Sequence, residues 1–162
     1  MKKTHNKKSL LLRFIQVGFS LFLLGSLNVT IAATDVWVAN GDGTVTDVAT
    51  GLIWQQQDDG VERTHANAIS FCQNLSLAGN TDWRLPNIKE LISLVDYRQR
   101  DPAIDRVAFP NTQSTIYWSA TSLVLTPTQA YTVPFVTTNG GFESGVLLNT
   151  PKTSDAAVRC VR

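Results

Sequence analysis

Ten residues, Asp82-Trp83-Arg84-Leu85-Pro86-Asn87-Ile88-Lys89-Glu90-Leu91, constrain the fold of this chain more than any other stretch. Pro86 fixes its own φ and pushes Leu85 toward extended backbone, so the chain must arrive as strand or loop and leave as something else. It leaves as a helix. Asn87 is a favoured N-cap, and Glu90 stands three positions on, where a capping-box acid reaches back; Ile88, Leu91, Ile92 and Val95 continue at helical spacing. The pattern predicts a helix from this junction to about Tyr97. Arg84, between Trp83 and Leu85, reads as a buried or half-buried cation held by a carboxylate or by backbone carbonyls, because an unpaired buried guanidinium is costly. The stretch marks a structural corner and names no chemistry.

The N-terminus separates from this corner by composition. Lys2, Lys3, Lys7, Lys8 and Arg13 precede an apolar run from Phe14 to Leu27, and Thr30-Ile31-Ala32-Ala33 closes it in small residues. That is the pattern of a secretory signal peptide, cleaved after Ala32 or Ala33, whereas an uncleaved span needs about 18 to 20 nearly continuous apolar residues. The expected organisation is a signal peptide at 1–33, a lead-in at 34–43 and one domain at 44–162. The protein is then exported, to the periplasm, the medium or the cell surface, with no transmembrane segment after cleavage. Cleavage removes five of the fourteen Lys and Arg and none of the thirteen Asp and Glu, leaving nine cations against thirteen carboxylates, a net charge of −4. A domain of that sign lacks the bulk positive field of a nucleic-acid binder. Cys72 and Cys160 then share an oxidising compartment, where one disulfide is the expected state; free thiols for redox or metal work usually stand closer together.

The rest of the chain supplies strands on either side of two helices. Val36 to Val38 is a short apolar start, Asn40-Gly41-Asp42-Gly43 a turn, and Thr44 to Asp47 with Leu52 to Gln55 a hairpin around Ala49-Thr50-Gly51 that points Trp54 inward. A first helix is expected from about Thr64 to Leu77, since Ala68, Phe71, Cys72 and Leu75 fall on one face. Arg98 to Thr115 loses periodicity and reads as an ordered, irregular excursion, a kind of segment that often carries function. Tyr117 to Thr121 has strand composition. Tyr131 to Val136 and Phe142 to Leu148 read as strands joined around Asn139-Gly140-Gly141, and Ala157 to Arg162 as the last strand, with Val158 and Cys160 on one face and Arg159 and Val161 on the other. The fold class is α+β, two helices with a twisted antiparallel sheet.

Candidate chemistry is sparse. His65 is the single histidine after cleavage, and its place beside Glu62, Arg63 and Thr64 fits a solvated capping turn better than a catalytic triad. Zinc lacks ligands, and Asn40, Asp42 and Asp47 read as turn residues, since the terminal Glu of a calcium loop is missing. Asp58/Asp59 and Asp101/Asp105 are carboxylate pairs of the kind that glycoside hydrolysis uses, but solvated turns account for them. Trp54, Trp83 and Trp118 lie in apolar segments and are assigned to packing; Trp37 is the freer indole. Arg98, Arg100 and Arg106 are the candidates for ligand binding, because three guanidiniums within nine residues can grip sulfate or carboxylate; the alternative is local salt bridges with the interleaved Asp96, Asp101 and Asp105, which the spacing favours.

Five motifs in order carry a family resemblance: Thr50-Gly51-Leu52-Ile53-Trp54, Phe71-Cys72, Asp82-Trp83-Arg84-Leu85-Pro86 with Glu90-Leu91, Tyr117-Trp118-Ser119-Ala120-Thr121, and Val158-Arg159-Cys160-Val161-Arg162. From roughly Thr44 to Arg162 the chain resembles the C-terminal domain family of the Legionella collagen-like adhesin. The resemblance implies a compact C-type-lectin-like fold in which Cys72 of the first helix bridges to Cys160 of the final strand, with Trp54, Trp83, Arg84, Pro86, Glu90 and Trp118 as structural motif residues. It also implies extracellular glycan or protein binding, since the named member recognises sulfated host glycans. This chain has no collagen-like Gly-X-Y region, so the avidity of a trimeric stalk does not carry over. Nor does it contain the Glu-Pro-Asn, Gln-Pro-Asp or Trp-Asn-Asp motifs of calcium-dependent lectins. The expectation is a non-enzymatic binding module without cofactor or metal, whose partner is an extracellular glycan or an envelope protein. The alternative is a structural, protein-contacting subunit of an envelope complex, and oligomeric state is left open.

Overall fold

The computed structural model describes residues 36–136 and 144–162. The expected signal peptide and the Asn139-Gly140-Gly141 turn lie outside the described residues. Two helices and two antiparallel three-stranded sheets make an α+β fold. The first sheet holds β1 (Trp37–Ala39), β2 (Thr44–Asp47) and β3 (Ile53–Gln55) in sequential order. Its β2–β3 turn is built by Asp47, whose carboxylate accepts from the Ala49 N–H at 2.9 Å and the Thr50 hydroxyl at 2.7 Å. Gly51, at φ +74, supplies the left-handed residue that returns the chain. Asp42 likewise accepts from the Thr44 N–H and hydroxyl, so both carboxylates serve turns.

Helix α1 (His65–Gln73) is shorter than the expected Thr64 to Leu77, because Leu75 and Leu77 leave the helical ladder to bond Cys72 O and Asn80 O. Helix α2 (Ile88–Ser93) also stops before Tyr97. Leu94 and Val95 bond three residues back, and Asp96 then captures the Arg98 N–H. The second sheet is β4 (Ile116–Ser122), β5 (Gln129–Pro134) and β6 (Leu148–Pro151). Of the strand expected over Phe142 to Leu148, Phe142 and Glu143 lie outside the described residues; among the rest only Leu148 is in a strand, at the start of β6, where Leu148 to Pro151 pair with β5.

The terminal segment is not a regular strand. It makes isolated bridges to four places: Ala156 to Arg63, Ala157 to Tyr117, and Val161 to both Trp54 and Arg84. Its backbone bonds reach both sheets: Gln55 N–H donates to Cys160 O at 2.9 Å, and Trp118 N–H donates to Ala157 O at 3.0 Å. Residues 156–161 are all buried, so the two faces read from alternation are both interior. The segment runs between two cores. One gathers Val45, Trp54, Leu91, Ile104, Phe109 and Phe135; the other gathers Trp83, Leu85 and Trp118 around Cys72 and Cys160. Those two sulfurs are bonded, 2.03 Å apart, and tie α1 to the terminal segment. Among the described residues, no helix is long and apolar enough to cross a membrane.

Candidate functional site

The Trp-Arg-Pro corner is built as a lock. Asn87 accepts from the N–H groups of Lys89 and Glu90, while Glu90 accepts from the Asn87 N–H, completing a capping box. The same Glu90 carboxylate takes both ends of the Arg84 guanidinium, at 2.7 and 2.8 Å. Arg84 is held by a carboxylate, one of the two partners expected for it, but at the surface rather than in the core: its side chain is 46% exposed. The Arg84 hydrogen bonds hold the Glu90 carboxyl below its ordinary range. Trp83, Leu85 and Pro86 are buried beneath. Because Asn87 satisfies two orphan helix donors, Asn87→Ala is expected to lower stability by about 1 kcal/mol, measured by urea unfolding, with an unchanged midpoint contradicting this role.

A register shift in β4 between Trp118 and Ser122 links this corner to both helices. Through it the Ala120 N–H donates to Pro86 O at 2.7 Å, and the Thr121 hydroxyl accepts from the Ile88 N–H at 3.1 Å. The Ser119 carbonyl turns to His65, which donates from Nε2 at 3.0 Å. His65 is thus buried, stacked edge-on against Trp118 at 5.1 Å, and not in a solvated capping turn. The reason is the carbonyl that the irregular β4 frees from the ladder, 54 residues away. Burial holds the His65 imidazole below its ordinary pKa, so it is neutral near pH 7. No serine hydroxyl bonds it among the described residues, and its Nε2 proton is already committed to a carbonyl. It is a packing residue in this geometry.

The buried cation is Arg159. Its side chain is 1% exposed and donates to Gln55 O at 2.8 Å, to Gln56 O, to Thr112 Oγ1 at 2.8 Å and to Asp58 Oδ2 at 3.2 Å. Asp58 also accepts from the Tyr117 hydroxyl at 2.6 Å and from Gln113. The expectation that Asp58 sits in a solvated turn is corrected: Arg159 draws it inward, while its neighbour Asp59 pairs with Arg63 outside. Burial pushes the Arg159 pKa below and the Tyr117 pKa above their ordinary values. Asp58, Tyr117 and both terminal nitrogens of Arg159 have partners here, which suits a structural knot.

That knot also steadies the irregular excursion. Thr112 and Gln113 belong to its far end, Ile104 and Phe109 are fully buried, and Gln56 Nε2 donates to Ala108 O at 3.1 Å. Near its start, Asp96 N–H donates to Ala103 O and Ala103 N–H to Phe135 O. On this anchored base the three candidate arginines stand outward. Arg98 pairs with Asp96 yet leaves 88% of its side chain exposed; Arg100 is exposed; Arg106 donates to Gln99 Oε1 at 2.9 Å, which brings it beside the 98–100 turn. Tyr97, 71% exposed, adds an aromatic surface that sequence reasoning did not single out. Gly145 makes room for it: a Cβ there would meet the Tyr97 hydroxyl at 2.7 Å, and the position is left-handed at φ +82.

Trp54, Trp83 and Trp118 are buried, and Trp37 is half-buried edge-on to Phe109 at 5.1 Å. Trp54, Trp83 and Trp118 therefore present no sugar-stacking face, and Trp37 is the most accessible of the four. Among the described residues, no group of three or more His, Cys, Asp or Glu is placed to hold a metal ion. The family model described as the Lcl C-terminal domain matches residues 43–162. No curated protein matches the chain.

Proposed function

Because the chain belongs to the Lcl C-terminal domain family, we propose that it is an exported, non-enzymatic binding module that recognises an anionic extracellular glycan through Arg98, Arg100 and Arg106. The observation that carries this reading is the company these arginines keep. Exposed guanidiniums, gathered by the Gln99–Arg106 hydrogen bond, stand beside an exposed Tyr97 on a base that is pinned to the core. Guanidinium grips sulfate or carboxylate, and an aromatic face suits an apolar sugar face. Anchoring lowers the ordering cost of binding, so weak surface charges can act together. The Cys72–Cys160 bond supports export, because such bonds persist in oxidising compartments. A lectin-like description of the fold belongs to the same proposal, supported by a disulfide that joins the first helix to the chain's end.

Changing Arg98, Arg100 and Arg106 together to serine is expected to weaken retention on a sulfated-glycan array by about tenfold or more, with the melting temperature unchanged. Retention equal to that of the unaltered protein would remove this assignment. A second reading, contact with an envelope protein, is favoured by Val124 and Leu125, which are 91% and 96% exposed between β4 and β5. Partner capture from envelope extract that is lost on changing those two residues to serine, with no saturable glycan binding, would favour it over the first.

A further inference from the structure

A concavity lies at the opposite end of α1 from the disulfide, and nothing in the arginine face accounts for it. It is an open cleft of about 630 Å³ between the start of α1, the end of β4 and the turn after β6. That volume is in the range of small-molecule sites, roughly 300 to 1,000 Å³. Ala66, Ile69 and Ala120 give it apolar walls, and His65 and Ser122 add polar edges. Its one charge among the lining residues is Lys152; no carboxylate lines it.

Lys152 is positioned before any ligand arrives. Its N–H donates to Thr128 O at 2.9 Å and its carbonyl accepts from the His65 N–H at 3.1 Å, so the backbone is fixed from both sides. Its ammonium donates to Ser122 Oγ at 2.7 Å, which restrains the flexible stem at the cavity edge. An ammonium has three donors, and that bond uses one. The start of α1 adds the same sign of potential: Thr64 makes no side-chain cap and the first turn has no acid. His65 is neutral, with Nε2 bonded to Ser119 O, so it brings no competing charge.

We infer that this cavity binds a small organic carboxylate, its apolar body against Ala66, Ile69 and Ala120 and its carboxylate on the Lys152 ammonium. A charge-assisted bond to a pre-set cation gives selectivity for the anion, while the apolar wall supplies contact area. The inference is independent of the arginine face, and its failure leaves that reading untouched.

The test is a titration of the isotope-labelled full chain with sodium benzoate and, separately, benzyl alcohol, monitored by amide NMR shifts. Benzoate is expected to move the Ala66, Ile69, Ala120 and Thr153 amides saturably, and benzyl alcohol to bind about tenfold more weakly. Lys152→Gln is expected to bring benzoate down to the level of benzyl alcohol and to leave the alcohol unchanged. Ala66→Leu, which fills the cavity from an exposed helical position, is expected to abolish both, and it keeps the site testable should the Lys152 variant not fold. Absence of saturable shifts, shifts centred on the 98–106 excursion, or equal binding of the two probes overturns the inference.

Discussion

Arg159→Met is expected to destabilise the domain by about 3 to 5 kcal/mol, the range found when one partner of a buried ion pair is removed. Methionine fills much of the volume, so the loss comes from what it abandons. The Gln55 and Gln56 carbonyls, Thr112 Oγ1 and the Asp58 carboxylate all lose a donor, and Asp58 keeps the neutral donors of Tyr117, Gln113 and the Gly60 N–H. A carboxylate without its cation, in a site whose side chain is 3% exposed, is the largest single contribution. Arg159→Lys is no conservative substitute, since an ammonium carries three donors and cannot span four acceptors in a plane. Removing Asp58 as well, as Asp58→Asn in the Arg159→Met background, is expected to cost less than the sum of the single changes. Urea unfolding of the four proteins measures this. A loss below about 1 kcal/mol for Arg159→Met would show that the knot is not what holds these segments together.

The second large effect is covalent. Replacing Cys72 and Cys160 together by alanine is expected to cost about 2 to 5 kcal/mol, where chain-entropy reasoning for a separation of 88 residues gives about 4 to 5. Beyond that global loss, α1 should also open locally. That helix has nine residues, no side-chain cap and no acid in its first turn, and a helix of that length is marginal without tertiary contacts. Its anchors are Ala68 and Cys72 in the second core and the His65–Ser119 bond. Hydrogen exchange of α1 amides in the double variant should therefore accelerate more than that of β2 or β3 amides. Uniform acceleration, or stability equal to that of the oxidised protein, would contradict a local tie.

The two arginines show where sequence reading reaches its limit. Arg84 and Arg159 have similar apolar flanks, and both invite burial. Arg84 sits six residues before a capping-box glutamate that can turn back and hold it at the surface, so local chemistry decides its fate. Arg159 lies in an alternating run, and alternation puts it opposite Cys160, on the side a lone edge strand would give to water. What buries it is a tertiary fact. The terminal segment bonds β3 and Arg84 through Cys160 and Val161 and β4 through Ala157, so neither face is left to solvent.

Features carried by local rules were legible: the Asn87–Glu90 capping box, the Asp47–Gly51 turn and the two helix starts. Features made by distant carbonyls were not. His65 turns inward because an irregular β4 offers it the Ser119 oxygen, and Asp58 because Tyr117 and Arg159 meet there. Helix ends were overestimated for a related reason. Apolar spacing continues through Leu75 and through Val95, but the backbone bonds have already shifted to tight turns. Tyr97 carried no signal of its own in the sequence; only its exposure beside the arginines makes it a site candidate.

A terminal segment that closes both sheets gives the arginine-bearing excursion its fixed base. Native-state hydrogen exchange of the Ala157, Val161 and Trp118 amides tests that claim most directly, since each donates to a partner across this seam. These amides are expected to exchange only through global unfolding, with the same free energy as the urea measurement. Exchange through local opening, faster than that of β2, would show that the seam frays on its own and that the two sheets hold without it.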